Sequence, residues 1–600
     1  MREPTFINPI SLPEKLNTAE RKFVQCMAEG GKCEIGTKRP TEAINKGDNA
    51  NVIRADVIRF FVWGGSKDDP IAGNTITLGG AHISGALDLV LVSSPYALAL
   101  IDCRFDAPVK MLHAAFRSLH LNGSYLPHGL NGYGMRIDSD MFMRDGFSAE
   151  GEVRLLGADI GGNVDCDGGK FINKKGIALA ADGIKVGGDF SMQNNFTAEG
   201  EVLLLGADVS GNVDCDGGKF INKKGIALAA DRIKVGGNFS MQNNFTAEGE
   251  IRLLSADIGG DVYCNSSKLR NEKGDALAAD KIKVGGNFSL RSGFSADGTV
   301  RLPAADINGS LYCISSEFKR GLNARAARVR NFLYLRNLEG NGTVDLSFAA
   351  TDVLEDDEKS RENFAFRLGG FSYQRFGTPG EVEVRIKKWL DKHPDDIDFS
   401  PQPFEQAAKV LFAMGHNNDA RAVLWAKERR LTKHGKLPSG HKPIRWVWSW
   451  LAGYGYRLRR TLAWSAGIVF AGAAIFYIAN ESRHIVPHQP VVLKMMQESV
   501  KVQKGGECAS KKRPTEVVKC LIPEYPRFYS LTYSLDVFIP FFALHQEQYW
   551  YPQPSANAHV LWRVLLPIWY WIEIIAGWVF TSLLVLTITG LLKPRQSSLE

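Results

Sequence analysis

The chain has 600 residues, 44% of them hydrophobic and 23% charged. That length exceeds a single core, at roughly 150 residues per domain, and the composition excludes wholesale disorder and a polytopic transporter. The net charge of +7 is local: ten Lys/Arg and one acid, Glu428, fall between Lys427 and Arg460, so nucleic acid is not an expected partner.

Residues 1–68 open without an apolar leader segment and read as a helical cap. Its clearest helical stretch is Asn51-Val-Ile-Arg-Ala-Asp-Val-Ile-Arg-Phe-Phe-Val-Trp63. A cap is needed because an open β-helix exposes sheet edges.

Residues 69–355 carry an internal repeat. Phe147–Asn195 and Phe196–Asn244 agree at all but six of 49 positions, and the register continues to Phe245 and Phe294. Each unit holds two similar halves of short alternating apolar stretches broken by glycine, which predicts strand and turn. The expectation is a mainly β protein built on a parallel β-helix solenoid of 49-residue double-coil repeats, about eleven coils and on the order of 50 Å long. Cys166, Cys215, Cys264 and Cys313 recur at this period and predict an inward thiol column near Phe147, Phe196, Phe245 and Phe294. Equivalent cysteines lie two coils apart, roughly 10 Å, too far to share a metal or a disulfide. Asp159, Asp208, Asp257 and Asp306 recur too, and are read as turn-capping side chains rather than as calcium ligands. A near-perfect copy lengthens such a rod without disturbing it, as a spacer or extended binding surface tolerates.

Residues 356–450 turn to helical periodicity. Pro403–Gly415 and Asn418–Arg430 form a tetratricopeptide-like helix pair around Gly415-His416, read as an adaptor between rod and membrane.

Residues 451–600 contain two spanning segments, 461–480 without a charge and 569–592 interrupted only by Glu573, each long enough for about 30 Å of hydrocarbon. The basic run before the first span predicts both termini in the cytoplasm and the loop between the spans outside. Tyr454, Tyr456, Arg457, Arg459 and Arg460 would anchor the span on anionic lipid. Cys508 and Cys520 fall in the external loop, where they form either a disulfide or two free thiols; the other seven cysteines would be reduced. Residues 529–544 are apolar but too short to cross, and suit a re-entrant segment. The order span, re-entrant segment, span resembles two-span potassium channels, but the chain has no Thr-Val-Gly-Tyr-Gly filter. Asp536 is read either as a membrane site or as the cap of a short helix beginning near Val537. Glu573 is read either as a membrane site or as an interfacial group beside Trp569, Tyr570 and Trp571. Arg563 could pair with either acid, and His545 and Glu547 complete the candidate set.

Several motifs together resemble a family of bacterial membrane proteins often labelled "membrane-associated oxidoreductase". They are Ile53–Arg59, Leu78–Leu89, Gly370-Phe-Ser-Tyr373, Phe399–Gln406, Gly453–Arg457, Tyr533–Pro540, Leu544-His-Gln-Glu547 and Trp550. The solenoid is also similar to pentapeptide-repeat proteins. The label implies redox chemistry, yet the chain carries no dinucleotide fingerprint, haem motif, iron–sulfur run, Walker A or His-Glu-x-x-His, so no catalytic residue, cofactor or metal is expected. The leading expectation is a membrane-anchored, non-enzymatic scaffold that binds lipid and an unidentified protein along the rod, with a second copy of the chain as a further candidate partner. A pore or signalling channel and a redox enzyme are the alternatives.

Overall fold

The computed structural model describes residues 10–40, 50–378, 385, 389–390, 399–434, 445–446, 450, 458–501, 506–508, 510–554 and 558–589. The chain divides into two compact units, Met1–Ala420 and Arg421–Glu600.

The first unit is a parallel β-solenoid of about 13 turns. Its strands, mostly two residues long, line two sheets of 24 and 22 strands. Every pairing within these sheets is parallel. The count exceeds the expected eleven because strands appear outside the expected rod. Cys33–Glu34 and Val52–Arg54 pair with the first turn, and Ser372–Phe376 pairs with the strand before it.

Successive turns within the near-identical copies advance by 26 and 23 residues alternately. The longer turns carry Asn173–Gly176 and Asn222–Gly225, at which the strand register shifts. Each begins with an asparagine whose Nδ2 donates to the carbonyl four residues on, Asn173 to Ile177 and Asn222 to Ile226, both at 2.9 Å. Asn271 bonds Asp275 in the same way at 2.7 Å. This closes the loop and returns the chain to the sheet.

The inward face is stacked by residue type. Phe147, Phe171, Phe196, Phe220 and Phe245 form an unbroken column with ring centroids 5.2–5.3 Å apart. The period alone predicted every second member. Phe171 and Phe220 come from the other half of each unit, and Leu269 takes the next place. Each ring pair contributes about 0.5–1.5 kcal/mol beyond burial.

The outward face is stacked by charge, which corrects the role expected of the aspartate ladder. Asp159, Asp208, Asp257 and Asp306 lie in strands, not at turns. They alternate in register with Arg136, Lys185, Lys234, Lys283 and Arg328. Opposite charges thus follow one another along the sheet, a favourable cross-strand arrangement. Turn capping falls instead to the residue after each Gly-Gly or Ser-Gly pair. Asn163, Asp189, Asn212 and Asn238 each accept, through Oδ1, the backbone N–H of the equivalent residue one turn on, at 2.7–2.8 Å.

Helices close both ends. At the start, α1 (Thr18–Glu29) begins at an Asn17–Glu20 capping box, and α2 (Ala55–Val62) follows with Phe61 fully buried. Buried Glu20 also bonds Arg54 Nε at 2.7 Å, tying α1 to the strand Val52–Arg54. At the far end stand α3 (Glu358–Asn363) and α4 (Gln402–Ala413), while α5 (Asn417–His434) follows in sequence and lies mostly in the second unit. Gln402 Nε2 donates to Phe371 O at 3.0 Å and Gln406 Nε2 to Tyr373 O at 2.6 Å. Two sequence motifs, Gly370–Tyr373 and Phe399–Gln406, are therefore two sides of one contact. Beside it, Asp356 is buried between Arg361 and Arg385, each at 2.9 Å.

In the second unit, α6 (Leu458–Glu481) and α10 (Val560–Thr589) flank three short helices, α7 (Pro490–Lys501), α8 (Pro514–Leu521) and α9 (Ser530–Phe538). Strands Ile485–Pro487 and Trp550–Pro552 pair antiparallel. Arg459–Glu481 and Val560–Leu586 are long and apolar enough to cross a membrane.

Candidate functional site

Two groups of residues were singled out by sequence, and they lie in different environments. The solenoid cysteines are all fully buried. They do not touch in sequence order, because a methionine or leucine from the intervening turn separates each pair: Met192 and Met241 precede Cys215 and Cys264 along the column, and Leu290 pairs in register with Cys313. Burial pushes all four thiols above the ordinary thiol range. A thiol that is neither exposed nor ionised is a poor nucleophile and a poor metal ligand, so the column is packing material.

The outward column beside it changes character along the rod. Asp165 is held by Arg144 Nη1 at 2.8 Å. Its counterpart Asp214, in the next near-identical copy, has Gln193 where Arg144 would stand. Burial, then Asp216, Asp189 and Asp167, push the Asp214 carboxyl up to about 6. Further on the column becomes aromatic, with Tyr312 and Tyr334 stacked at 4.9 Å and Arg291 5.1 Å over Tyr312.

The second group gathers around α9. This helix packs against both α6 and α10. Ser534 on α9 is fully buried, its Oγ 2.8 Å from Val469 O on α6 and in short contact with Glu573 Oε1 on α10. Glycine allows the approach. A Cβ at Gly472 would lie 2.3 Å from Glu573 Oε1, and one at Gly577 would lie 1.8 Å from Phe538 O. Glu573 itself is 0% exposed, buried inside the protein rather than on its surface. The helix starts at Val560 and runs straight through Pro567, so Glu573 stands near its middle rather than at its start. The helix thus extends nine residues upstream of the expected boundary at 569 and includes Pro567.

Asp536 also takes a different role from helix N-cap, since α9 begins at Ser530. Its Oδ1 accepts Leu544 N–H at 2.6 Å and its Oδ2 accepts Glu547 N–H at 2.8 Å. One carboxylate thus folds the chain back on itself after α9. Glu547 in turn accepts the Tyr570 hydroxyl of α10. The segment enters as a helix, turns near exposed Phe541 and Phe542, and returns to α10, where Glu547 meets Tyr570. His545 is exposed, with Nδ1 3.3 Å from Gln548 Oε1. Arg563 is exposed and pairs with neither acid among the described residues. Arg459 and Arg460 are exposed at the start of α6, and Arg457, with Tyr454 and Tyr456, lies outside the described residues.

Cys508 and Cys520 are joined as a disulfide, Cα–Cα 5.5 Å, which links the turn before α8 to α8. Around it the unit has an aromatic core. Tyr533 is fully buried against Phe476 at 4.8 Å, and Trp550 Nε1 donates to Pro526 O at 3.2 Å. Sequence reasoning missed Ser534, Gly472 and Tyr570. The available signal was a serine and a glycine inside apolar runs, each facing an acid. Among the described residues no cluster of His, Cys, Asp or Glu is arranged to hold a metal ion. No family model, curated protein or solved structure matches this chain.

Proposed function

We propose that this protein is a membrane-anchored, non-enzymatic scaffold whose solenoid offers an extended surface to a protein partner. The carrying observation is that two nearly identical 49-residue copies occupy successive pairs of turns with the same bonds. Asp167 and Asp216 each accept a serine hydroxyl one turn on (Ser191 at 2.5 Å, Ser240 at 2.6 Å). A surface can be lengthened this way, whereas a local catalytic centre would be pulled apart. In this reading α6 and α10 cross the bacterial inner membrane, the solenoid is cytoplasmic and the disulfide-bearing loop is external, which suits the redox difference between the two sides.

The test compares the detergent-purified full chain with a variant lacking Phe196–Asn244. The variant is expected to fold, insert and keep its partner, with weaker capture in cross-linking. Native mass spectra should show bare protein. Loss of folding on deletion, or added mass matching flavin, nicotinamide nucleotide or haem, would overturn the scaffold in favour of a redox enzyme. A second reading, a pore, is favoured by one observation, the re-entrant α9 held between the two long helices. It requires a ring of three or more chains in the same spectrum.

A further inference from the structure

The contact between α6, α9 and α10 contains a proton count. The Ser534 hydroxyl lies against two acceptor oxygens, the Val469 carbonyl at 2.8 Å and Glu573 Oε1. A hydroxyl carries one proton and donates one hydrogen bond; a main-chain carbonyl carries none. Were Glu573 a carboxylate, three oxygens would share a single proton. One of the two contacts would then press lone pairs together, in a place where all the partners are buried. A protonated Glu573 removes the conflict. Its O–H donates to Ser534 Oγ, and the Ser534 O–H donates to Val469 O. The relay then runs in one direction, from α10 through α9 to α6.

The surroundings agree. From α6 the site is faced by Val469 and Gly472, neither of them titratable. From α9 come Ser534 and the buried Tyr533 phenol, with Asp536 one turn further on. The returning segment brings Glu547, and α10 itself brings Tyr570 and the Trp569 indole N–H, a donor that favours the charged form of Glu573 but supplies no proton between Ser534 and Val469. Among the described residues, no cation forms an ion pair with Glu573. The charged neighbours are acids already engaged, Asp536 by two backbone N–H groups and Glu547 by Tyr570. A second unpaired negative charge here would be strongly disfavoured. We propose that Glu573 is a proton-binding site, a neutral carboxylic acid that ties the re-entrant helix to both long helices, and that loss of its proton unties α9. The step is a simple deprotonation: the O–H bond of Glu573 breaks, the electron pair stays on the carboxylate, and the proton leaves to water. This inference goes beyond the scaffold reading and does not depend on what the solenoid binds.

The experiment uses the full chain in phosphatidylcholine–phosphatidylglycerol vesicles. Infrared spectra taken from mildly acidic to strongly alkaline pH should show a protonated-carboxyl band at neutral pH that is absent in Glu573→Gln. The amide keeps the donor and the size of the acid, so this variant should fold; carbonate extraction of the same vesicles reports insertion separately. Ser534→Ala keeps the acid but removes its acceptor, and should shift the band to higher frequency. A spin label at Phe541→Cys, in a Cys26→Ser background, should gain mobility as the band is lost on raising pH, and should stay immobile in Glu573→Gln. Identical neutral-pH carboxyl bands in wild type and Glu573→Gln would overturn the proposal. A band that disappears on adding sodium at fixed pH would assign the site to a cation and overturn it as well. Label mobility that rises equally in Glu573→Gln would overturn the untying.

Discussion

The solenoid and the helical unit of residues 421–600 satisfy their polar groups in opposite ways. In the solenoid each need is met many times by the same device. Asn163, Asp189, Asn212 and Asn238 do one job on consecutive turns, and the charge ladder repeats another. No single member is indispensable, because its neighbours above and below hold the same geometry. In the helical unit each need is met once. Asp536 folds the chain back after α9, and Ser534 bridges α6 and α10. Repetition spreads stability along the chain, while single-copy networks concentrate it. The first arrangement suits a surface that can change length, the second a device that can change state.

The comparison breaks most sharply where the solenoid itself is not periodic. Asp356, buried between Arg361 and Arg385, has no counterpart on another turn. Asp356→Ala leaves two buried guanidinium groups without their carboxylate and should destabilise the solenoid by about 3–5 kcal/mol. Denaturant unfolding followed by circular dichroism measures this, and a loss below about 1 kcal/mol would count against the distinction. Within the periodic part the expected loss is smaller. Cys215→Ser places a hydroxyl in an apolar column and should cost about 1–3 kcal/mol, read from the same transition. Cys264→Ser should cost the same within experimental scatter if the turns are equivalent.

The smallest effect concerns Asp214 and has the opposite sign. Its carboxyl is pushed up to about 6 by burial, and then by Asp216, Asp189 and Asp167. The folded state therefore holds this proton more tightly than the unfolded chain, whose aspartates titrate near about 4. Stability is lost as pH rises from the lower value through the higher one. Asp214→Asn should raise neutral-pH stability by about 1 kcal/mol after allowance for solvent screening, with no gain below about pH 4. A thermal melt of both proteins across that window measures it. A gain that persists at the acid end would mean a cause other than charge.

What could be read from sequence followed the period. The 49-residue repeat placed the solenoid and its cysteine column, because a fixed step stacks like on like. It missed half of the phenylalanine column, since Phe171 and Phe220 belong to the other half of each unit. It also gave the capping role to Asp159 instead of Asn163. Both lie next to glycines, and only the strand register separates an outward ladder from a turn. In the helical unit the two long apolar stretches were legible from hydropathy. Glu573 and Asp536 stood out as acids in apolar surroundings, but their partners did not. Ser534, Val469 and Glu573 come from three separate segments, and no spacing rule joins them.

The alternating step of 26 and 23 residues also bears on how the chain acquires its structure. Every strand of the solenoid pairs with one a single turn away, however long the whole becomes. Loop-closure entropy grows only with the logarithm of the loop, and here the loop never lengthens. Folding speed tracks the sequence separation of contacts, so adding turns leaves the elementary step unchanged. Each turn can dock as soon as the following two dozen or so residues have left the ribosome, onto a template begun by α1 and α2. Such a chain can assemble by zippering from one end during synthesis, with its length set by how much repeat precedes α3 and α4.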